Sequence, residues 1–361
     1  MNLNTLDKDI LHNLAIWLGV PESRLRELSD ILPERENAYF ENILDSNTID
    51  FKEALVRRFT HKLVKYLKEK NRYGILNSIK RMRQLFRKEL IEISDCRFMQ
   101  LDKELRTRLA LPTIDWNGHK GAVCLSHDID SRQDYQYIPE VYRLNKKYNL
   151  VSGFNFLTNW GYCIDKTLLS ELNDNGFEIG LHGYTHDIAV GFRSQERIKR
   201  ELSLAFQSLG FPVEGYRAPA FAVSKRLLAV LRELGIKYDS SMKTISCYSP
   251  QSAEVFYPYR YPGVGIWEVP LTIQDDRVFR DLHLSNEEAL GVIKELTARI
   301  VNMGGVCVIN NHPVLIQRRR YYYEQLLEWL SGFKEAWVTR IDLLVGFMEE
   351  RERRVLDENR G

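Results

Sequence analysis

The sequence predicts an α/β protein in which a parallel sheet is closed into a barrel or doubly wound, preceded by an all-helical region. Beyond residue 115, short β-rich apolar runs alternate about seven times with amphipathic helical stretches. Gly176, Gly210 and Gly235 each stand where a helix should end, just before the next strand. The alternating part has about 225 residues, which is near the usual size of an (α/β) barrel.

The elements of the alternating part follow one another in regular order. Strands are predicted at residues 121–126, 151–157, 177–181, 213–217, 236–240, 265–271 and 305–310. Helices are predicted between them at residues 135–148, 166–175, 194–209, 224–234 and 286–302. The barrel is therefore expected to span residues 116–345, followed by a charged C-terminal tail at 346–361.

Residues 1–115 are predicted to form a helical accessory region. Segments 51–70 and 75–93 carry apolar residues at helical spacing, and segments 21–23 and 29–33 indicate breaks between shorter helices. The basic run 80–83 is interpreted as a solvated helix face, because acidic residues are mixed through the same region. No functional site is visible in this region, so we expect an appendage or a homo-oligomerisation element.

Charge and hydropathy argue against several classes of partner. The 51 basic and 49 acidic side chains nearly cancel, which gives no reason to expect nucleic acid or an anionic membrane as partner. No apolar stretch of about 18 residues occurs, so no membrane span is expected. The N-terminus lacks the pattern of a secretory signal, and the five cysteines are widely spaced. These features favour a reducing, cytoplasmic setting without a disulfide framework.

Polar residues cluster where the predicted strands end, which is where barrel enzymes place their active sites. His182 and His186 are four residues apart directly after an apolar strand, so both imidazoles can reach one ion. Asp128 and Asp130 follow the first strand and point to the same side if that strand stays regular. Surface or capping histidines and helix-capping carboxylates are the structural alternatives. The combination favours a metal site.

The strand-end segments resemble the polysaccharide deacetylases, the NodB-homology or carbohydrate esterase family 4 enzymes. The resemblance covers about residues 118–345, and that family has five ordered motifs in a distorted (β/α) barrel. The corresponding segments here are, in order, 126–130, 182–186, 217–219, 239–241 and 309–312. The fourth match is weak, and Trp267 is another candidate for its apolar part.

The resemblance implies a role for each residue of the site. The implied metal ligands are Asp130, His182 and His186, with a divalent metal, zinc, as cofactor. Asp128 would be the general base, His312 the general acid, and Arg217 would hold Asp128 in place. Substrate contacts are expected from Trp267, Tyr184, Pro219 and Asn311.

Three departures from the family pattern affect these assignments. Ile129 is inserted between the two acidic residues, so the division of base and ligand between Asp128 and Asp130 stays open. Gly183 stands in place of Ser or Thr, and His127 replaces an aromatic residue. None of these changes removes a ligand, the base or the acid.

The residues support three hypotheses for function. The first is a metal-dependent hydrolase that removes an N-acyl group, acetyl by preference, from a small, lipid-linked or nucleotide-linked N-acetylated saccharide. The second is an amidohydrolase of the same barrel type that acts on a non-sugar amide. The third is a catalytically silent carbohydrate-binding barrel, against which the presence of every ligand, the base and the acid argues.

Overall fold

The computed structural model describes residues 8–26, 97–244, 255–281 and 283–358. The helical predictions for segments 51–70 and 75–93, and the basic run 80–83, lie outside the described residues. The described N-terminal part is helical, with α1 (Lys8–Leu18), α2 (Glu22–Arg26) and α3 (Arg97–Leu109). In the part of the chain that the structure describes, no helix is long and apolar enough to cross a membrane.

Strands and helices then alternate along the rest of the chain. The first half contains β1 (Gly121–Ile129), α4 (Arg132–Lys147), β2 (Gly153–Leu157), α5 (Lys166–Asp174), β3 (Glu178–Gly183), α6 (Gln195–Leu209), β4 (Gly215–Tyr216), α7 (Lys225–Glu233) and β5 (Tyr238–Asp239). The second half contains β6 (Tyr259–Arg260), β7 (Trp267–Glu268), β8 (Ile273–Gln274), α8 (Asn286–Asn302), β9 (Val306–Asn310), α9 (Pro313–Arg318), α10 (Arg320–Gly332), β10 (Ala336–Thr339) and α11 (Ile341–Glu358).

The strands form one curled sheet in the order β6-β7-β5-β4-β3-β2-β1-β9-β8, and β10 pairs with the first half of β1. All pairings between these strands are parallel except that of β6 with β7. Residues 267–274 connect the two sides of the curled sheet, because they hydrogen-bond both with the segment after β5 and with β9. Leu271 N donates to Met242 O at 2.7 Å beyond β5, and Thr272 N donates to Val308 O at 3.0 Å in β9. The predicted distorted (β/α) barrel is therefore confirmed.

Helix α1 covers the open edge of the sheet at β6. The Asn13 side chain donates to Arg260 O at 2.8 Å and accepts from Arg260 N at 2.7 Å. Trp17 Nε1 donates to Pro258 O at 2.8 Å. These bonds satisfy backbone groups that an edge strand would otherwise leave unpaired. The apolar face of α1 thus shares a core with the barrel.

Residues 346–358, which were predicted to form a charged tail, belong to helix α11. Met348 and Val355 are buried, and Arg351 Nε donates to Ile16 O at 2.6 Å, which ties α11 to α1. The run of charged residues between these positions conceals an apolar face at helical spacing, and that face packs on the barrel. Residues 359–361 lie outside the described residues.

The attachment of α1 is expected to weaken at alkaline pH. The hydrogen bond that His12 Nε2 donates to Glu352 at 2.8 Å raises the pKa of His12 above 6.5 against the opposing effect of burial, and Glu22 adds to this. A raised pKa in the folded state contributes stability that is present below the unfolded pKa and is lost as the pH rises through the folded value. We expect His12→Gln to lower the midpoint of thermal unfolding more at pH 5.5 than at pH 9.

Thermal unfolding of wild type and variant at both pH values checks this expectation. His119→Gln is the control, since no carboxylate pairs with His119 among the residues that the structure describes. An equal loss at both pH values in His12→Gln would show that His12 contributes through packing alone.

Candidate active site

Strand β1 carries the two carboxylates of the candidate site to the carboxyl end of the barrel. The strand runs to Ile129, three residues further than predicted, so Asp128 lies within it and Asp130 follows directly. Alternation along the strand turns Asp128 and Asp130 to one side, and the inserted Ile129 is fully buried. Asp128 is 2% exposed, whereas the side chain of Asp130 is 31% exposed at the mouth of the barrel. The two acids therefore have different environments.

Asp130 lies between two histidines from the end of β3. Its Oδ1 is 3.1 Å from His182 Nε2, and its Oδ2 is 3.4 Å from His186 Nε2. His182 Nδ1 is 2.8 Å from Arg217 O, so Nδ1 carries a proton and Nε2 is the nitrogen that faces Asp130. One ligand atom from each of the three residues lies within 4.8 Å of the others.

Gly183 explains how β3 can deliver both histidines. Strand β3 runs through His182 to Gly183, and a bend follows before His186. Gly183 has φ +130°, a backbone conformation that residues with a Cβ rarely adopt. The glycine found here in place of Ser or Thr therefore permits the turn that brings His186 back beside His182.

This group fits a divalent cation. Asp130 Oδ1 is buried and makes no hydrogen bond within the described ranges, although it lies close to an imidazole nitrogen. Burial would raise the pKa of Asp130, but the neighbouring His182, His186 and His312 hold it well below its usual range. An ionised carboxylate with two imidazoles is a donor set suited to zinc and similar ions, and it leaves coordination positions open.

Asp128 is paired with Arg217 in the interior of the barrel. Arg217 Nη1 donates to Asp128 Oδ1 at 3.1 Å, and the exposed fractions of the two side chains are 0% and 3%. Burial opposes ionisation of Asp128, but the charges of Arg217 and His182 outweigh it and lower the pKa of Asp128. Asp128 is therefore a carboxylate at neutral pH.

The segment matched to the weak fourth motif orients Arg217. Arg217 Nε donates to Ser240 O at 2.8 Å and Nη2 donates to Ser240 Oγ at 2.9 Å. Ser241 Oγ accepts from Ala218 N at 2.8 Å and donates to Asp239 Oδ1 at 2.8 Å. Asp239 thus acts at a distance, by fixing the loop that follows Arg217.

His312 follows β9 and lies between Asp130 and Asp275, with one ring nitrogen near each carboxylate. His312 Nδ1 donates to Asp275 Oδ1 at 2.8 Å, and the backbone N of His312 donates to Oδ2 at 2.5 Å. His312 Nε2 lies 3.5 Å from Asp130 Oδ2. Burial disfavours the imidazolium, but the charges of Asp275 and Asp130 raise the pKa of His312 well above 6.5. This histidine is placed and charged to donate a proton.

Asp275 was missed in the sequence because the sixth strand was predicted to end at Leu271. The chain instead continues into β8, whose carboxyl end carries Asp275. An acidic pair directly after an extended strand was the available signal. Asp275, Asp276 and His312 also approach one another closely enough to hold an ion. Because Asp275 is hydrogen-bonded to His312 and Asp276 pairs with Arg280, we interpret them as orienting groups.

His127 lies on the outer face of β1, away from the carboxylates. Its Nδ1 is 2.9 Å from Asn311 O, and its Nε2 is 3.3 Å from Tyr323 Oη. Burial lowers the pKa of His127 to about 4, so it is neutral. Its contact with Asn311 supports the backbone next to His312.

The four predicted substrate contacts lie in different surroundings. Tyr184, which stands between the two histidines in the sequence, is half-buried, and Pro219 is buried beside Gly183. Trp267 and Asn311 are fully buried, so neither is accessible to a substrate, and we remove both from the substrate-binding set. The Trp267 ring lies 4.3 Å from the Arg260 guanidinium, on the side of the barrel that α1 covers.

Trp160, which the sequence analysis did not single out, is exposed beside His186. It is 42% exposed, and its ring centroid is 6.1 Å from that of His186. The loop that carries it is anchored to β3, because Asn159 N donates to Tyr184 O at 2.7 Å. Its position directly after β2, at the end of a strand, was the signal that pointed to it.

Comparisons of sequence and fold relate the chain to known proteins. Residues 117–238 match the sequence model of the polysaccharide deacetylase family. No curated protein matches the sequence at a significant level. A crystal structure described as a polysaccharide deacetylase from Mycobacterium smegmatis has a TM-score of 0.55 and 18% identity, covering 67% of this chain and 94% of that chain.

Two further solved structures are similar in fold. One is described as a polysaccharide deacetylase from Pseudomonas aeruginosa PAO1, with a TM-score of 0.53, 14% identity, and coverage of 65% of this chain and 93% of that chain. The other is the Puue allantoinase, with a TM-score of 0.54, 14% identity, and coverage of 65% and 93%. At such identities the likeness establishes the fold. The sequence match over residues 117–238 agrees with the resemblance to the polysaccharide deacetylases that the motifs predict.

Proposed function

We propose that the protein is a metal-dependent hydrolase that removes an N-acyl group, acetyl by preference, from an N-acetylated sugar. The observation that carries the proposal is the grouping of His182, His186 and His312 around Asp130, with the ionised Asp128 two residues away. A catalytic metal site needs few protein ligands and an open side, and this group offers both.

Each residue has a defined task in this reaction. When bound at Asp130, His182 and His186, a divalent cation supplies a Lewis acid that polarises the amide carbonyl and lowers the pKa of water. The Asp128 carboxylate accepts the proton of the attacking water as general base. The protonated His312 donates its proton to the amide nitrogen, which is otherwise a very poor leaving group.

Removing Asp275 is expected to narrow the pH profile on its alkaline side. The charge of Asp275 helps to raise the pKa of His312, and a general acid must be protonated to act. In Asp275→Asn the pKa of His312 falls, so the alkaline limb of kcat/KM should move to lower pH. A pH profile of kcat/KM checks this, and an unmoved limb would mean that His312 is not the acid.

The surroundings of the site favour a saccharide as substrate. Trp160 presents an exposed aromatic face beside His186, and aromatic faces of this kind stack on the apolar side of sugar rings. Tyr184 and Pro219 remain further proposed substrate contacts. We further propose a small, lipid-linked or nucleotide-linked N-acetylated saccharide, a cytoplasmic setting, and the helical region 1–115 as an accessory or homo-oligomerisation element.

A non-sugar amide is the second candidate substrate. The fold resembles an allantoinase as closely as it resembles the deacetylases, with a TM-score of 0.54 against 0.53 and 0.55. An assay for acetate, formate and ammonia release across N-acylated sugars, sugar nucleotides and simple amides separates the two. Acetate release confined to the sugars supports the deacetylase, and release from simple amides alone would replace it with the amidohydrolase.

A further inference from the structure

Two buried asparagines flank Asp128 on the neighbouring strands of the barrel. In the pairing of β1 with β2, Asn155 lies opposite Asp128, and in the pairing of β1 with β9, Asn310 lies opposite Ser126. Asn155 is 6% exposed and Asn310 is 0% exposed. A buried amide at such a position has to be hydrogen-bonded to be tolerated. The partner of both amides is the carboxylate of Asp128.

The donors are distributed unequally between the two carboxylate oxygens. Asn155 Nδ2 donates to Oδ1 at 2.9 Å, and Arg217 Nη1 donates to the same oxygen at 3.1 Å. Asn310 Nδ2 donates to Oδ2 at 2.8 Å. Each carboxylate oxygen has about two lone pairs. Both lone pairs of Oδ1 are thus occupied by protein donors, while Oδ2 keeps one.

The amide of Asn310 can adopt only one orientation in this network. Its Oδ1 accepts from Arg217 Nη1 at 3.2 Å, and its Nδ2 donates to Asp128. A flipped amide would place its oxygen against the carboxylate and its NH2 against the guanidinium, and both contacts would be repulsive. The ion pair therefore fixes the amide, and the amide in turn fixes the plane of the carboxylate.

We propose that Asn155 and Asn310 are positioning residues that hold the Asp128 carboxylate in one plane and leave a single lone pair of Oδ2 to accept the proton of water. This inference rests on the proposed function, in which Asp128 is the general base. Asn155 and Asn310, which are neither proposed metal ligands nor the proposed acid, would thus orient the carboxylate of Asp128. Misplacement of a reacting group by about 1 Å can reduce a rate by about 100-fold.

Gly180 makes the arrangement testable without changing either asparagine. It lies opposite Asn155 in β3, and a Cβ built on Gly180 would stand 2.2 Å from Asn155 Oδ1. The next atoms are Asn155 Cγ at 3.3 Å and, at an ordinary contact distance, Phe154 O at 3.7 Å, so the collision falls on this amide. Gly180→Ala must therefore displace the Asn155 side chain, while every polar atom of the network remains in the protein.

The experiment compares Asn155→Ala, Gly180→Ala, the double variant and Asn310→Leu in steady-state deacetylation. We expect kcat to fall by about 10- to 100-fold in each, with KM and metal content little changed, because the lost interaction serves the chemical step. The double variant should match Asn155→Ala, since two changes that act through one contact are not additive. Asn13→Ala is the control, a buried asparagine in α1 that should lose stability without losing kcat.

Two results would overturn the inference. One is an unchanged kcat in the folded Asn155→Ala and Asn310→Leu proteins. The other is an unchanged kcat in the folded Gly180→Ala protein, in which the Asn155 amide must move. Thermal unfolding identifies variants that fail to fold, and Gly180→Ala, which keeps every donor, then decides for Asn155. Wild-type protein without turnover would instead overturn the proposed function itself, so the two failures are distinguishable.

Discussion

Replacing His182 with alanine is expected to abolish both metal binding and hydrolysis. His182 is one of the three proposed protein ligands, and the bond from its Nδ1 to Arg217 O holds its Nε2 toward Asp130. Loss of a hydrogen-bond partner behind a ligand typically costs about 10- to 100-fold in metal affinity, and loss of the ligand should exceed that range. Metal analysis of the purified variant, together with an activity assay, checks the expectation.

His186→Ala should behave in the same way. The double variant, which lacks both His182 and His186, should no longer bind one ion per chain. The matched control is His119→Ala, a histidine in the turn before β1 whose contact is with the backbone of Asn117. This control should keep both metal and activity. Stoichiometric metal in the double histidine variant would show that the ion binds elsewhere.

Asp128→Asn is expected to keep the metal and lose turnover. The three proposed ligands remain, but the proposed general base is gone, and general-base catalysis is typically worth about 10²–10⁴-fold. The same change leaves the Arg217 guanidinium buried without its carboxylate, which typically costs about 3–5 kcal/mol. Thermal unfolding must therefore accompany the kinetic and metal measurements.

Asp130→Asn is the matched variant and should fail differently. Asp130 contacts both histidines, so loss of its charge should release the metal. The structure supports this division, because Asp128 is paired with Arg217 and Asp130 with the imidazoles. Metal loss in Asp128→Asn with retention in Asp130→Asn would reverse the two roles and leave the deacetylase proposal intact.

The sequence predicted the site because its residues lie at strand ends. In a parallel barrel the carboxyl ends of all strands meet at one face, so residues far apart in the chain, such as Asp130 and His312, converge. The order of the strands did not need to be known for this prediction. Buried strands are apolar, and polar residues follow them directly. This change in composition was sufficient to locate the strand ends.

Other parts of the site depend on contacts that no local pattern encodes. Residues 267–274 cross from β5 to β9 without the alternation of a regular strand, which hid Asp275. Asn155 lies within an apolar strand, and only its pairing opposite Asp128 indicates a functional role.

The burial of Trp267 follows from the docking of β6 and α1, which is a tertiary event. The apolar face of α11 was obscured in the same way by the charges around it.

Acetate release from N-acetylated sugars, measured before and after removal of divalent metal by a chelator, tests the proposed chemistry most directly. The wild-type protein should release acetate, lose activity on chelation, and regain it when zinc or a similar ion is added back in an amount of about one per chain. The His182→Ala variant should regain nothing. Acetate release that persists fully in the chelated protein would contradict a metal-dependent reaction at Asp130, His182 and His186.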